Sequence, residues 1–246
     1  MNFFKERRTV RKYSDRYVDD SLLEEMIEQA SHAPNTGNMQ QYSVVVTRSE
    51  AGKKALAPAH FSQPSVEGAS AVLTFCLDFN RFEHWCRLND AEPGYNNFQA
   101  FVWGVIDTAI FAQQFCTIAE MNGLGCCYLG TTTYNAADIA RTLELPDRVV
   151  PVTTITVGYP EGPSEVSDRL PAEGIMHRER YTDYTDADIR RIYSYKESLP
   201  ESRRFVEENG KQTLAQVFTD VRYTRDACEH FSRLFHDFVE SKGFSL

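Results

Sequence analysis

Between Asn97 and Asn122 the chain carries Phe98, Phe101, Val102, Val105, Ile106, Ala109, Ile110, Ala112, Phe115, Ile118 and Ala119. This spacing predicts a helix roughly 39 Å long and apolar around most of its circumference. Such a helix has to be covered, either inside the molecule or between subunits, and Gly123 supplies its stop. Asp107 interrupts the apolar run, which argues against a membrane span. The charges of Lys5, Glu6, Arg7 and Arg8 stand where a signal peptide needs its apolar stretch, so no export or membrane anchoring is expected.

Around that helix the other elements follow. Leu22, Leu23, Met26, Ile27 and Ala30 recur at helical spacing after Asp19 and Asp20, either of which can cap the helix, and Pro34 closes the segment. The runs 42–47, 71–77, 126–129 and 152–157 are short and β-branched or apolar, as buried strands require. Short helices are expected over 49–57 and, capped by Asn135, as far as Leu145; the Gly- and Pro-rich stretch 161–172 reads as a loop. Two polar helices follow, over 186–198 and about 226–242, the second with Phe231, Leu234, Phe235 and Phe238 on one stripe. No boundary divides the chain convincingly, so 1–246 is read as a single domain with an extended, helical arm over about 161–246.

The net charge of −9, with no basic stripe interleaved with aromatics, excludes nucleic acid as an expected partner. The six cysteines, 76, 86, 116, 126, 127 and 228, form neither a CxxC pair nor a secreted disulfide framework, which points to a reducing cytoplasm. Cys126 and Cys127 can be read as a redox pair or as buried apolar thiols; on a strand their side chains face opposite ways, which favours the second reading. There is no G-x-S-x-G, H-E-x-x-H or Walker A motif, the histidines lack metal-ligand spacing, and Gly123-Leu124-Gly125 leads into a strand rather than out of one.

Arg7-Arg8-Thr9-Val10-Arg11-Lys12-Tyr13 is unusual in packing four cations into six positions of an acidic chain. Guanidinium forks match phosphate oxygens, so the cluster suits a bound phosphate; a solvated terminal charge run is the plainer alternative. Ala33-Pro34-Asn35-Thr36-Gly37-Asn38-Met39-Gln40 is a small, amide-rich turn able to approach the polar edge of a planar ring, though by itself only a loop.

Taken in order with Gly123-Leu124-Gly125 and Tyr128-Leu129-Gly130, these segments resemble the nitroreductase superfamily. Asp78-Phe79-Asn80-Arg81, Gly104-Val105-Ile106-Asp107-Thr108-Ala109 and Arg169-Leu170-Pro171 are similar to its oxygen-insensitive nitroreductases and NADPH-flavin oxidoreductases. The resemblance runs from about Glu6 to Pro171. It implies an α+β fold, a central mostly antiparallel sheet flanked by helices, with the long helix in a homodimer interface.

By the same resemblance Arg7, Arg8, Thr9 and Arg11 hold FMN, with Arg169 adding a phosphate contact. Asn35, Thr36 and Gly37 approach the flavin from the partner subunit, Gln63 contacts the ring, and Tyr128, Leu129, Gly130 and Thr131 line another face. The chain departs from the subgroup at Ser167, where a lysine is frequent, and at Thr133, where an arginine is frequent. The implied activity is ping-pong, two-electron reduction of a small aromatic acceptor (a nitroaromatic, quinone or flavin) with NADPH or NADH as reductant. No side chain is expected to be an indispensable general acid or base, and no metal is expected. The alternative is a protein that stores or senses flavin with little turnover.

Overall fold

Four runs of apolar and β-branched residues pair into one antiparallel sheet: β1 (Tyr42–Thr47), β2 (Ala71–Asp78), β3 (Gly125–Leu129) and β4 (Val149–Gly158), in the order β1-β2-β4-β3. The computed structural model describes residues 3–246. Every residue of β2 is buried, as its continuous apolar run requires of a central strand, and β1 and β3 form the two edges. β4 begins earlier than its sequence suggests because Pro151 lies within it. Cys76 faces Pro151 and Phe75 faces Thr153, so Val152 bulges out of register, a place where a proline is tolerated.

Among the described residues ten α-helical segments accompany the strands along the chain: α1 (Asp20–Ser31), α2 (Glu50–Leu56), α3 (Pro64–Gly68), α4 (Phe79–Leu88), α5 (Phe98–Met121), α6 (Ala136–Thr142), α7 (Asp186–Ser198), α8 (Pro200–Glu208), α9 (Leu214–Val217) and α10 (Arg225–Ser241). α5 is the long apolar helix. Its length and composition would let it cross a bilayer, yet Phe111, Ala112, Phe115 and Cys116 are buried against α1 and the sheet, together with Leu73, Phe75 and Ile155. On the opposite sheet face Val72, Cys127 and Leu129 pack with Leu56, Val66 and Ile139. Cys126 and Cys127 therefore belong to different cores, as strand alternation demands.

Asn97 caps α5 by accepting the Ala100 N–H at 3.0 Å, and Gly123, at φ +77°, lets the chain turn from the helix toward β3. Asp19 stands at the α1 N-cap and Asn135 at that of α6, but neither side chain caps its helix; Asn135 Nδ2 donates instead to Ala59 O at 2.8 Å. α4 was not legible as a helix because it starts immediately at the end of β2, capped by the strand's last residue, Asp78. In the aromatic stripe of α10, Phe238 is buried and Phe235 packs beside it, with Phe79, Ala100 and Phe244, whereas Leu234 stays 46% exposed.

The chain divides into two compact units, one formed by the residues up to Glu165 with Phe231–Leu246, the other by Val166–His230. In the second, a capping box between Thr185 and Asp188 starts α7, and Ile192 of that helix lies over Gly174. Arg204 pairs within α8 with Glu201 and Glu208, as a surface charge does.

Candidate functional site

The N-terminal segment is laid along the β3 edge by its backbone. Val10 N–H donates to Cys126 O at 3.0 Å, and Ser14 N–H donates to Tyr159 O at 2.9 Å. Val10 is buried over Gly125, where a Cβ would stand 2.5 Å from the valine side chain; this close approach is why the second glycine of Gly123-Leu124-Gly125 cannot be exchanged for a larger residue. Tyr13 Oη donates to Val10 O at 2.8 Å and lies 2.7 Å from Thr156 Oγ1, and burial raises its phenol above the ordinary value. With Val10 turned inward, Arg11 and Lys12 are exposed.

The cations so placed divide into two kinds. Arg7 Nε pairs with Glu120 at 3.1 Å and its Nη2 reaches Cys116 Sγ at 3.9 Å. Among the described residues Arg8 donates to main-chain carbonyls alone, those of Glu6 (3.1 Å) and Ser164 (3.2 Å). Among the described residues no carboxylate forms an ion pair with Arg8, Arg11 or Lys12. In a chain of net charge −9, three neighbouring cations without a carboxylate present a surface whose charge suits an anion. A cavity of about 370 Å³ opens here, lined among others by Arg7, Arg8, Val10, Glu120 and Gly125.

Near the far end of β3, Tyr128 Oη donates to Gln113 Oε1 at 3.4 Å, and burial holds its phenol protonated well above the usual range. Leu129 is buried and Gly130 exposed. Thr131 Oγ1 lies 2.9 Å from Nδ1 of His60, which is wholly buried; burial pulls this imidazole down to about 4, so it is neutral. Gln63 follows three residues later, after Phe61 and Ser62, both in the left-handed region at φ +53° and +51°. Two consecutive non-glycine residues held there store strain of the kind found where a side chain must be aimed. The Gln63 amide is half-buried. Tyr134 stacks on Phe231 at 4.3 Å, and Phe61 lies 6.5 Å from the same ring. His60, which spacing did not single out, bonds to both Gln63, whose N–H donates to its carbonyl at 3.2 Å, and Thr131.

Asn35, Thr36 and Gly37 lie elsewhere. Thr36 donates its N–H to Asp107 Oδ2 (2.9 Å) and its hydroxyl to Oδ1 (3.0 Å), so the buried carboxylate of α5 clamps the turn. Asn35 Oδ1 accepts the Gln40 N–H at 3.1 Å, and Gly37, Asn38 and Gln40 all take positive φ. Asp107 and Glu120, the anchors of Thr36 and Arg7, are thirteen residues apart on α5, a separation of about 20 Å. The turn leads into β1, at the opposite sheet edge from β3. Within one chain the two groups of predicted ligands therefore do not converge. Asp107 was visible in the sequence as the lone charge in an apolar helix; its role as a clamp was not.

Arg169 belongs to the second compact unit, where its guanidinium donates to Asp168 O at 2.8 Å.

Comparison with known proteins identifies the family to which the chain belongs. The model of the nitroreductase family matches residues 4–159, and this chain belongs to that family. It is 31% identical to the oxygen-insensitive NADPH nitroreductase of Salmonella typhimurium, covering 87% of this chain and 85% of the relative. It is 28% identical to the FMN reductase (NAD(P)H) of Bacillus subtilis, covering 98% and 96%. A crystal structure of a Bacteroides fragilis NCTC 9343 protein superposes with a TM-score of 0.98 at 51% identity over the whole of both chains.

Proposed function

We propose that this protein is an FMN-dependent NAD(P)H oxidoreductase that works as a cytoplasmic homodimer on nitroaromatics, quinones or flavins. When bound, FMN supplies the two-electron chemistry between the nicotinamide and the acceptor. The observation that carries the reading is the group of cations at the β3 edge that the fold leaves without carboxylates. Arg8 and Arg11 hold the phosphate, Thr9 the adjoining polyol chain, and Arg7, already fixed by Glu120, sets the position of the segment. Arg169 adds to the phosphate site in this reading, and residues 1–246 act as one nitroreductase-like domain with its arm from about residue 161.

Gln63 and Thr131 meet the polar edge of the ring, while Tyr128, Leu129 and Gly130 border it. Asn35, Thr36 and Gly37 complete the site from the second subunit, which is consistent with their distance from Arg7 and Glu120 in the same chain. Phe98, Ile106 and Ile110, 59%, 49% and 38% exposed on α5, supply apolar surface for that subunit contact. The aromatic group of Phe61, Tyr134 and Phe231 favours a flat, aromatic acceptor. Six free cysteines, five of them buried, suit a reducing cytoplasm.

No side chain here is assigned a proton-transfer role. His60 is buried and neutral, and Tyr128 is held protonated. Alignment of the two substrates in turn on one surface is the protein's contribution.

The test is anaerobic titration of purified protein. Stoichiometric yellow chromophore, bleached by NADPH or NADH and recovered on adding a quinone, is the expected result. In a fully flavinated Tyr128→Phe variant the bleaching rate stays within about tenfold, or ~1.4 kcal/mol of barrier. Colourless protein that cannot be reconstituted with FMN overturns the proposal, and bound flavin that no nicotinamide bleaches moves it to a storage or sensing role.

A further inference from the structure

His60 is wholly buried, and its ring meets one polar group among the described residues: Nδ1 lies 2.9 Å from Thr131 Oγ1. Nε2 is sealed from solvent without a hydrogen-bond partner. The backbone on either side is pinned, with Asn135 Nδ2 donating to Ala59 O at 2.8 Å and Gln63 N–H donating to His60 O at 3.2 Å. The hydroxyl of Thr132 is spent inside the fold, 2.9 Å from Leu129 O and 3.1 Å from Thr154 Oγ1. That of Thr131 meets His60 alone among the described residues, beside the exposed Gly130. An apolar side chain would fill the space of His60 without leaving a buried nitrogen unpaired, so packing by itself does not call for a histidine.

We propose that His60 is a positioning residue for the flavin ring: its Nδ1–H donates to Thr131 Oγ1, which turns the Thr131 hydroxyl proton toward the ring and favours reduced over oxidised FMN. The inference rests on the function proposed above, in which Thr131 meets the polar edge of the ring.

The tautomer follows from where a proton finds an acceptor. Burial keeps the imidazole neutral, so it carries one N–H and one bare nitrogen. A proton on Nε2 would be sealed without an acceptor, whereas one on Nδ1 has Thr131 Oγ1 at 2.9 Å. With Oγ1 accepting from His60, the threonine proton is free to donate, and the hydroxyl has no other hydrogen-bond partner among the described residues. A donor fixed at the edge of the ring binds more strongly once two added electrons have made the ring's acceptor atoms more negative. His60 itself neither gives nor takes a proton.

The experiment measures the midpoint potential of FMN bound to the full-length protein, anaerobically against reference dyes, in the parent, Thr131→Val, His60→Leu and the double variant. Each single change should cut the preference for reduced FMN about tenfold, a fall of about 30 mV for two electrons. The double variant should fall no further than the single ones, because both remove the same bond. His60→Asn, which keeps an amide donor near the Nδ1 position, should restore most of the parental potential. In the flavin-free protein, nitrogen-15 spectra of labelled histidine should show His60 protonated at Nδ1, with that resonance moved in the isosteric Thr131→Val. This second reading needs no change at the buried ring itself. Shifts that add in the double variant, a His60→Leu potential equal to the parent's, or a ring protonated at Nε2 overturns the proposal. Parent protein that takes up no FMN overturns the function on which it rests, whereas FMN bound with every potential unchanged overturns this inference alone.

Discussion

Arg148 and the arginines of the β3 edge set one residue type in a structural role beside the same type in its proposed ligand-binding role. Arg148 is held on every side: Nε donates to the buried Glu83 at 2.9 Å, Nη1 to Gly243 O at 2.8 Å and Nη2 to Tyr95 O at 2.6 Å, with the guanidinium 4.0 Å over the Phe244 ring. It ties α4, the start of β4 and the C-terminal residues into one corner, and its fork is spent. At the β3 edge, among the described residues, Arg8 meets carbonyl oxygens alone and Arg11 is exposed. A guanidinium with its carboxylate built in is part of the fold, and one without it can, in the function proposed above, pair with a ligand that brings the negative charge.

The difference is broken or sharpened by substitution, beginning with the largest expected effect. Arg148→Met leaves Glu83 buried without its cation, apart from the exposed Arg87, and should cost about 3–5 kcal/mol of stability. The shift of the urea midpoint measures it, and flavin content per folded molecule should stay the same. A midpoint unchanged within about 1 kcal/mol would mean the corner is not structural.

Next in size is the effect of pH on His60. Its folded-state value of about 4 lies below the unfolded value near 6.5, so the unfolded chain binds the extra proton between the two. The contribution is fully present above pH 6.5 and is lost as pH falls toward 4, in all about 3 kcal/mol. Urea unfolding at pH 7, 5.5 and 4.5 should show this slope in the parent protein and a shallower one in His60→Gln; equal slopes would contradict the burial argument.

Smallest in stability is Arg8→Glu, expected to move the midpoint by no more than about 0.5 kcal/mol while abolishing FMN retention, because a carboxylate then faces the phosphate. Full flavin content in folded Arg8→Glu would put the phosphate elsewhere, and a large stability loss would class Arg8 with Arg148.

The sequence disclosed the elements that carry strong patterns. α5, α7, β1 and most of β2 stand within a residue or so of where spacing and flanking breakers put them, because each satisfies its own period and its own stops. α3 and α4 escaped because one is five residues long and the other begins directly after the last residue of a strand. The cationic segment was legible as a cluster, but spacing could not say that Arg7 is already committed to Glu120 while Arg8 and Arg11 are not. That distinction depends on partners distant in sequence, as do the clamp of Thr36 by Asp107 and the support of Thr131 by His60.

In the function proposed above, one site is made by two chains, the cationic edge from one and the Thr36 turn from the other. Arg8→Glu breaks the first half and Asp107→Ala frees the second; each variant alone should lose FMN and NAD(P)H oxidation. Both chains are then co-expressed with different affinity tags, and flavin content and anaerobic turnover are measured on the mixed population. Random pairing makes half the dimers hybrid, each with one intact site of two, so about a quarter of the parental activity should return. If both halves of the site came from the same chain, no hybrid would contain an intact site, and the mixture would remain as inactive as its parents.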